Sequence, residues 1–211
     1  MSESKSRLAA ALHTAADLLI ERDLDPEGND RVRALIEEAN RLLAFGSERS
    51  QESRMQQFAS QMIVPMGAPE VEDGEHFVAF TASPYSGTEN AVSPKSVDYQ
   101  RVGRELHAAV LLGSAFEGAP GRAHGGVTAA VFDDVMGAVQ RISGVSGYTR
   151  SLEVTYRAPM PTHEEVVFVA FLSSQDERTF TVDAEAKHNS KVVATARGVF
   201  TLMAPAKFVR S

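Results

Sequence analysis

Residues 124–142 run His124-Gly125-Gly126-Val127-Thr128-Ala129-Ala130-Val131-Phe132-Asp133-Asp134-Val135-Met136-Gly137-Ala138-Val139-Gln140-Arg141-Ile142. The stretch reads as a helix. From Val127 to Val139 it is apolar almost all the way round, and a helix of that kind is buried on every side. A small sheet must therefore wrap it. Two adjacent carboxylates, Asp133 and Asp134, interrupt the apolar run at its middle. Neighbouring helical residues point about 100° apart, so the two cannot share one exit to water. A buried carboxylate without a partner costs several kcal/mol or has its pKa driven upward. One account has one of them reaching solvent at a cleft while the other is satisfied by backbone donors. The other account is a nucleophile or general base working in a dry cleft.

The helix opens at His124-Gly125-Gly126. Glycines without side chains let a ligand approach the backbone closely. The free N–H groups and positive dipole end at a helix N-terminus form an anion or oxyanion site. Glycines before a helix are also common in plain turns, so the turn gains meaning from the carboxylate nine residues on. Nine helical residues span about 13.5 Å and about 900°, half a turn out of phase. His124 and Gly125 of one chain therefore cannot readily meet Asp133 of the same chain over one substrate atom. If they cooperate, two chains must set two such helices side by side, giving two symmetric sites at a dimer interface.

Working outward, four later segments have strand character. In 148–159, Leu152, Val154 and Tyr156 alternate with Glu153, Thr155 and Arg157. Residues 165–173 are apolar on both faces, as for a covered central strand. In 178–186, Phe180, Val182 and Ala184 alternate with Thr179, Thr181 and Asp183. Residues 191–203 close the run, and Asn189-Ser190 makes a hairpin connection. Before the helix, Val78 and Phe80 begin a short strand that stops at the turn-rich Ser83-Pro84-Tyr85-Ser86-Gly87. A loop is then expected to about Gly103, a longer strand over 104–116, and irregular chain until after Pro120 and Gly121. One helix inside a run of antiparallel strands is α+β and not βαβ alternation, which disfavours Rossmann and TIM architectures.

Residues 1–70 carry little β signal. Leu8, Leu12, Ala15, Ala16 and Leu19 recur at helical spacing. A second helix is expected from a cap at Asn29 or Asp30 through Leu35, Ile36, Leu42 and Leu43 to near Gly46. The expected division is thus a helical extension over 1–70 and a wrapped-helix domain over 71–211. The extension holds eight basic and twelve acidic residues, which works against a helix-turn-helix reader of phosphate backbones. The whole chain has a net charge of −7, which disfavours nucleic acid as a partner. The N-terminal apolar run is broken by His13, Asp17 and Glu21, so it reads as an amphipathic helix and not a signal peptide. No window of about 18 apolar residues predicts a membrane span, and without an address the default location is the cytoplasm.

The absence of cysteine removes disulfides, zinc–thiolate sites, iron–sulfur clusters and a thiol nucleophile. No G-x-S-x-G, P-loop or G-x-G-x-x-G occurs. The six histidines show neither H-x-H nor H-E-x-x-H spacing, so no metal is expected. The available chemistry falls on a carboxylate and backbone amides.

At this point a resemblance enters. Residues 117–137 (EGAPGRAHGGVTAAVFDDVMG) with 149–161 (TRSLEVTYRAPMP) resemble the hotdog-fold thioesterases, in the branch of the phenylacetate-degradation type and the related long-chain acyl-CoA thioesterases. Ser83-Pro84-Tyr85-Ser86-Gly87, with Asn90 after it, also resembles that group's upstream loop. The resemblance spans about 75–204 and leaves 1–70 outside. It implies a curved antiparallel sheet wrapped around one long central helix, a homodimer that often pairs into tetramers, and hydrolysis of an acyl-CoA thioester in lipid metabolism, with no cofactor. By the same resemblance, His124 is the motif histidine and the Gly125 N–H polarises the thioester carbonyl. Asp133 attacks directly through an anhydride or activates water, and Thr149 positions the water or the carboxylate. Gly126 keeps the backbone close to the acyl group, and Asp134 is a secondary candidate for substrate contact.

Three other functions share the fold: a non-catalytic acyl-CoA-binding or sensing protein, an acyl-CoA hydratase or dehydratase, and an inactive structural member. The acidic extension weighs against a DNA-linked sensor. Hydratases resemble a different pattern, with aspartate and histidine closely spaced on the helix approach. The His124, Gly125 and Asp133 set weighs against a member that has lost activity.

Overall fold

The structure is a computed structural model that describes residues 2–62 and 70–203. Three helices open the chain: α1 (Ser2–Glu21), α2 (Pro26–Ala44) and α3 (Gln51–Met62). Strands β1 (His76–Phe77), β2 (Ser96–Val102) and β3 (Glu105–Leu111) follow, then a 3₁₀ turn over Ser114–Phe116 and the short hairpin β4 (Glu117–Ala119) and β5 (Arg122–Ala123). Helix α4 (Gly125–Ser143) leads into four long strands, β6 (Gly147–Tyr156), β7 (Glu165–Gln175), β8 (Thr179–His188) and β9 (Lys191–Leu202). The junction between the expected extension and domain, 63–69, and the segment 204–211 lie outside the described residues.

Seven strands form one antiparallel sheet in the order β1-β2-β3-β7-β8-β9-β6. Helix α4 packs against β3, β7, β8, β9 and β6 together. Five strands about 4.8 Å apart are broader than one helix about 10 Å across, so a single helix can touch all of them only if the sheet curls around it. Thr128, Val131, Phe132, Val135, Met136, Ala138, Val139, Gln140 and Ile142 of α4 are buried. They meet Leu106, Phe168, Phe180, Val182, Ala196 and Phe200 in one core. Phe132 meets Phe168 edge-on at 4.9 Å, and Phe180 stacks on Phe200 at the same distance. The doubly apolar stretch at 165–173 lies in β7, the middle strand of the seven.

Several sequence expectations need correction. The segment taken as loop up to Gly103 contains β2; of its residues only Tyr99 is buried, so its alternation is weak. The strand expected at Val78 and Phe80 sits earlier, at His76–Phe77. The strand over 104–116 ends at Leu111, where Gly113 and the 3₁₀ turn begin. The segment around Pro120 and Gly121 is not irregular but the tip of the β4–β5 hairpin. The second helix starts earlier than Asn29: Asp25 caps it, accepting the Gly28 N–H at 2.7 Å, with Pro26 in the first turn. Helix α3 was not expected at all.

Helix α1 is anchored on the 3₁₀ turn ahead of α4. Asp17 accepts the Ala115 N–H at 2.8 Å, and Ser114 donates to Glu21 at 2.7 Å. His13 stacks on Phe116 with ring centres 5.9 Å apart. His13 Nε2 also lies 3.2 Å from Asp17 Oδ2, close enough for an ion pair but without hydrogen-bond alignment. The fit depends on Gly113, because a Cβ there would collide with the Asp17 carboxylate. Gly113→Ala should therefore lift α1 off the turn. A cost of about 1–3 kcal/mol is expected, read as a fall of roughly 2–10 °C in Tm, with faster amide exchange confined to α1 and 113–116. An unchanged melting curve would show that the contact is not made in solution.

Candidate active site

The two adjacent carboxylates of α4 leave the helix in different directions, as the 100° step demands. Asp133 turns to β6, where Thr149 Oγ1 donates to Asp133 Oδ1 at 2.8 Å. Asp134 turns to the opposite end of the sheet. Tyr99 Oη of β2 donates to Asp134 Oδ2 at 2.6 Å, and Ser83 Oγ donates to Oδ1. Both Asp134 oxygens are thus occupied, whereas Asp133 Oδ2 is clear of any donor among the described residues.

Thr149 owes its aim to the strand. The β6–β9 register shifts between Thr149 and Ser151, and such a bulge re-aims the residue beside it. Among the described residues, strand β6 has one neighbour, β9, and forms the end of the sheet. Thr149 is exposed there and Asp133 is half-buried.

At the N-terminus of α4, His124 is the cap, its Nδ1 accepting the Gly126 N–H at 3.0 Å. That bond needs an unprotonated Nδ1, so the imidazolium cannot make it. His124 N–H in turn donates to the Phe116 carbonyl at 2.9 Å, and Thr128 N–H donates to the His124 carbonyl at 3.0 Å. Tyr156 Oη, also of β6, donates to the Gly125 carbonyl at 2.7 Å. Gly126 N–H and Gly125 C=O are both engaged, and the Gly125 N–H meets no acceptor among the described residues. His124, Gly125 and Gly126 are all exposed. The local arrangement is one open N–H at the positive end of a helix, held by its neighbours and facing solvent.

The structure therefore brings Asp133 and Thr149 together, and separately groups His124, Gly125 and Gly126. Asp134 joins neither set. Sequence reasoning missed Tyr156 as the partner of Gly125 and Tyr99 as the partner of Asp134. Tyr156 was visible only as one apolar position of an alternating strand, and Tyr99 lay in a segment read as loop. Ser83 was noted for its loop, with no sign that it reaches 51 residues along the chain.

Burial, the nearby Asp134 charge and the hydrogen bond to that carboxylate hold the Tyr99 hydroxyl well above its ordinary value of 10.0. The folded protein thus keeps a proton that the unfolded chain releases near pH 10. The Tyr99 contribution to stability is complete below that pH and declines as pH rises beyond it. Tyr99→Phe should cost about 1–3 kcal/mol at pH 7, where Asp134 loses a donor. The same variant should show a shallower loss of stability above pH 10 than the parent. Urea titrations at pH 7 and 10.5 measure both effects; identical alkaline slopes would show that the phenol does not titrate differently in the fold.

Comparison with known proteins bears on this geometry. Residues 120–195 match the model of the thioesterase superfamily, and that span contains His124, Gly125, Gly126, Asp133, Asp134 and Thr149. The chain is similar to a solved thioesterase superfamily protein with 23% identity, covering 93% of this chain and 90% of that one at a TM-score of 0.74. Solved structures that align with about half of the chain include a phenylacetic acid degradation-related protein from Ralstonia eutropha, 22% identical over 50% of this chain and 83% of that one (TM-score 0.45). A hypothetical thioesterase protein from Streptococcus pneumoniae, solved with coenzyme A, is 15% identical over 52% and 90% (TM-score 0.49). No curated protein matches the sequence. The fold is the hotdog fold, a long helix packed against a large antiparallel sheet with a helical region ahead of it.

Proposed function

We propose that the chain hydrolyses acyl-CoA thioesters at a site shared by two copies of itself, with Asp133 as the general base. The observation that carries this reading is the Thr149–Asp133 hydrogen bond of 2.8 Å on an exposed sheet end, in a chain whose α4 N-terminus presents an open Gly125 N–H. The family match over the same residues supports it.

One helix cannot bring its own N-terminus and its ninth residue to one atom. The unpaired side of β6 offers the remedy, because a ten-residue strand end with free backbone groups is a template for another chain. Pairing β6 with its copy about a two-fold axis would set two α4 helices side by side. The Gly125 N–H of one subunit would then face the Asp133 of its partner.

The chemistry follows from those positions. The thioester carbonyl accepts the Gly125 N–H at the positive end of α4, which stabilises the oxygen as charge develops on it. Asp133, steadied through Oδ1 by Thr149, takes a proton from water through Oδ2. The resulting hydroxide adds to the carbonyl carbon. Collapse of the tetrahedral adduct breaks the C–S bond, and the proton held by Asp133 passes to the departing CoA sulfur. His124 fixes the turn that aims Gly125, and Gly126 leaves room for the acyl group. Asp134, with both oxygens held, acts through the Ser83 loop that borders the helix.

A thiol-release assay over a panel of acyl-CoAs tests the reading, and a chain without cysteine adds no thiol background. Asp133→Asn should lower kcat by about 10²–10⁴ while leaving the fold and assembly intact. Thr149→Val should keep KM within a small factor and lower kcat less than Asp133→Asn does. Full turnover by Asp133→Asn would overturn the assignment. Gly125→Pro removes the donor, and unchanged kcat there would refute the oxyanion role.

A further inference from the structure

Tyr156 closes strand β6 and reaches the first turn of α4, where its hydroxyl donates to the Gly125 carbonyl at 2.7 Å. That carbonyl and the Gly126 N–H are the two ends of one peptide unit. The N–H end is held as well, by His124 Nδ1 at 3.0 Å. The peptide unit before it is held at its oxygen, the His124 carbonyl, by the Thr128 N–H at 3.0 Å. Three of the four polar groups of these two units are thus engaged, and the fourth is the Gly125 N–H. Two glycines in succession give a backbone its widest choice of conformations, so the aim of that N–H depends on what holds its neighbours. His124 and Thr128 belong to the helix end itself, whereas Tyr156 ties the turn to the sheet.

The tyrosine ring is placed as closely as its hydroxyl. A Cβ built on Gly125 would have Oη, Cζ and Cε1 of Tyr156 as its nearest neighbours, at 3.6, 3.7 and 3.8 Å. The ring edge therefore lies in ordinary contact along Gly125 without crowding it. Tyr156 is 52% exposed. A half-exposed hydroxyl on a neutral carbonyl adds little to the stability of a fold, because water competes for both groups.

The strand is built to bring Tyr156 and Thr149 to one side. Side chains alternate along a strand, so residues seven apart face opposite ways. In β6, Thr149 pairs with Phe200 and Ser151 with Val199, so Arg150 is an extra residue against β9. Past it, Leu152, Val154 and Tyr156 pair with Gly198, Ala196 and Ala194, in step with Phe200. All four β6 side chains consequently face α4. Leu152 and Val154 pack on the core, Thr149 reaches Asp133 and Tyr156 reaches Gly125. An unbroken strand would offer α4 only one of the two hydroxyls.

We propose that Tyr156 is a positioning residue for thioester hydrolysis, fixing the Gly125 N–H for the carbonyl oxygen as Thr149 fixes Asp133. The inference rests on the hydrolase reading above. Tyr156 acts through the Gly125 peptide and not on the substrate. A donor for a developing charge works only if its position is fixed before the charge appears. Loss of the hydroxyl is therefore felt in the transition state, in kcat and not in KM.

Tyr156→Phe keeps the ring and removes the donor. In the thiol-release assay the variant should lower kcat by about 10–100-fold, with KM within a small factor of the parent and an unchanged Tm. Tyr148→Phe removes a hydroxyl from the start of the same strand and should keep the parental kcat. Parental kcat in Tyr156→Phe, or a change confined to KM, would overturn the inference and leave the hydrolase reading standing. A kcat loss accompanied by a fall in Tm, or an equal loss in Tyr148→Phe, would also overturn it, by tracing the effect to a general loosening of β6. A parent that releases no thiol from any acyl-CoA would remove the hydrolase reading, and the inference with it.

Discussion

A helix that is apolar around its whole circumference has to be enclosed, and the enclosure of α4 organises everything else in the domain. Val131, Phe132, Val135, Met136 and Val139 are essentially inaccessible, and each contributes on the order of 1.5–3 kcal/mol by leaving water. No flat sheet can reach them all. The sheet therefore curls until β3, β7, β8, β9 and β6 all touch the helix. The two carboxylates then act as fasteners at the margins of the curl. Asp134 holds Tyr99 of β2, next to one end of the sheet, and Asp133 holds Thr149 of β6 at the other end. The 100° step between them on the helix sends one to each side of the sheet.

That division gives the two aspartates different freedom. Asp134 has both oxygens occupied and one donor, Tyr99, fully buried, so it trades reactivity for order. Asp133 has one donor, on an exposed strand end, and an oxygen left over. The difference arises from neighbours and not from the helix, since the two residues are chemically identical and adjacent. The same strand, β6, holds both halves of the candidate chemistry: Thr149 near its start meets Asp133, and Tyr156 at its end holds the Gly125 carbonyl. Any slip of β6 against β9 would disturb the carboxylate and the helix N-terminus together.

Much of this was legible from residue types and spacing. The long alternating or doubly apolar runs in 148–203 became strands because each buries a face, and the apolar helix required a wrapper. Of the candidate residues, Asp133, Gly125 and His124 could be named because a carboxylate in an apolar helix and a glycine pair at its start stand out locally, and Thr149 only through the resemblance to the hotdog-fold thioesterases. Strand β2 could not be read, since its one buried side chain, Tyr99, gives no period. Helix α3 was hidden for a related reason: much of its docking is polar, with Gln57 donating to Thr81 Oγ1 and Gln61 Oε1 accepting the Thr81 N–H, beside a Phe58–Phe80 edge contact and Met62 against the core. The partners of Asp134 lie 35 and 51 residues away, and no local pattern announces a contact made by topology. The cap at Asp25 was readable, because proline one residue on is a helix-start signal, but the later Asn29 and Asp30 drew the reading away.

The first two helices, alike in sequence character, have opposite relations to the body. In α1, Ala9, His13 and Asp17 are buried, and the helix grips the 3₁₀ turn whose last carbonyl, that of Phe116, accepts the His124 N–H. A short chain of contacts therefore runs from α1 through Phe116 to the residue that caps α4. Strain imposed on α1 would be felt at the turn that aims Gly125, since Gly113 leaves no slack between Asp17 and the backbone. Helix α2 has no such hold among the described residues and joins α1 through residues 22–25. Of the three N-terminal helices, α1 and α3 thus dock on the body while α2 faces outward.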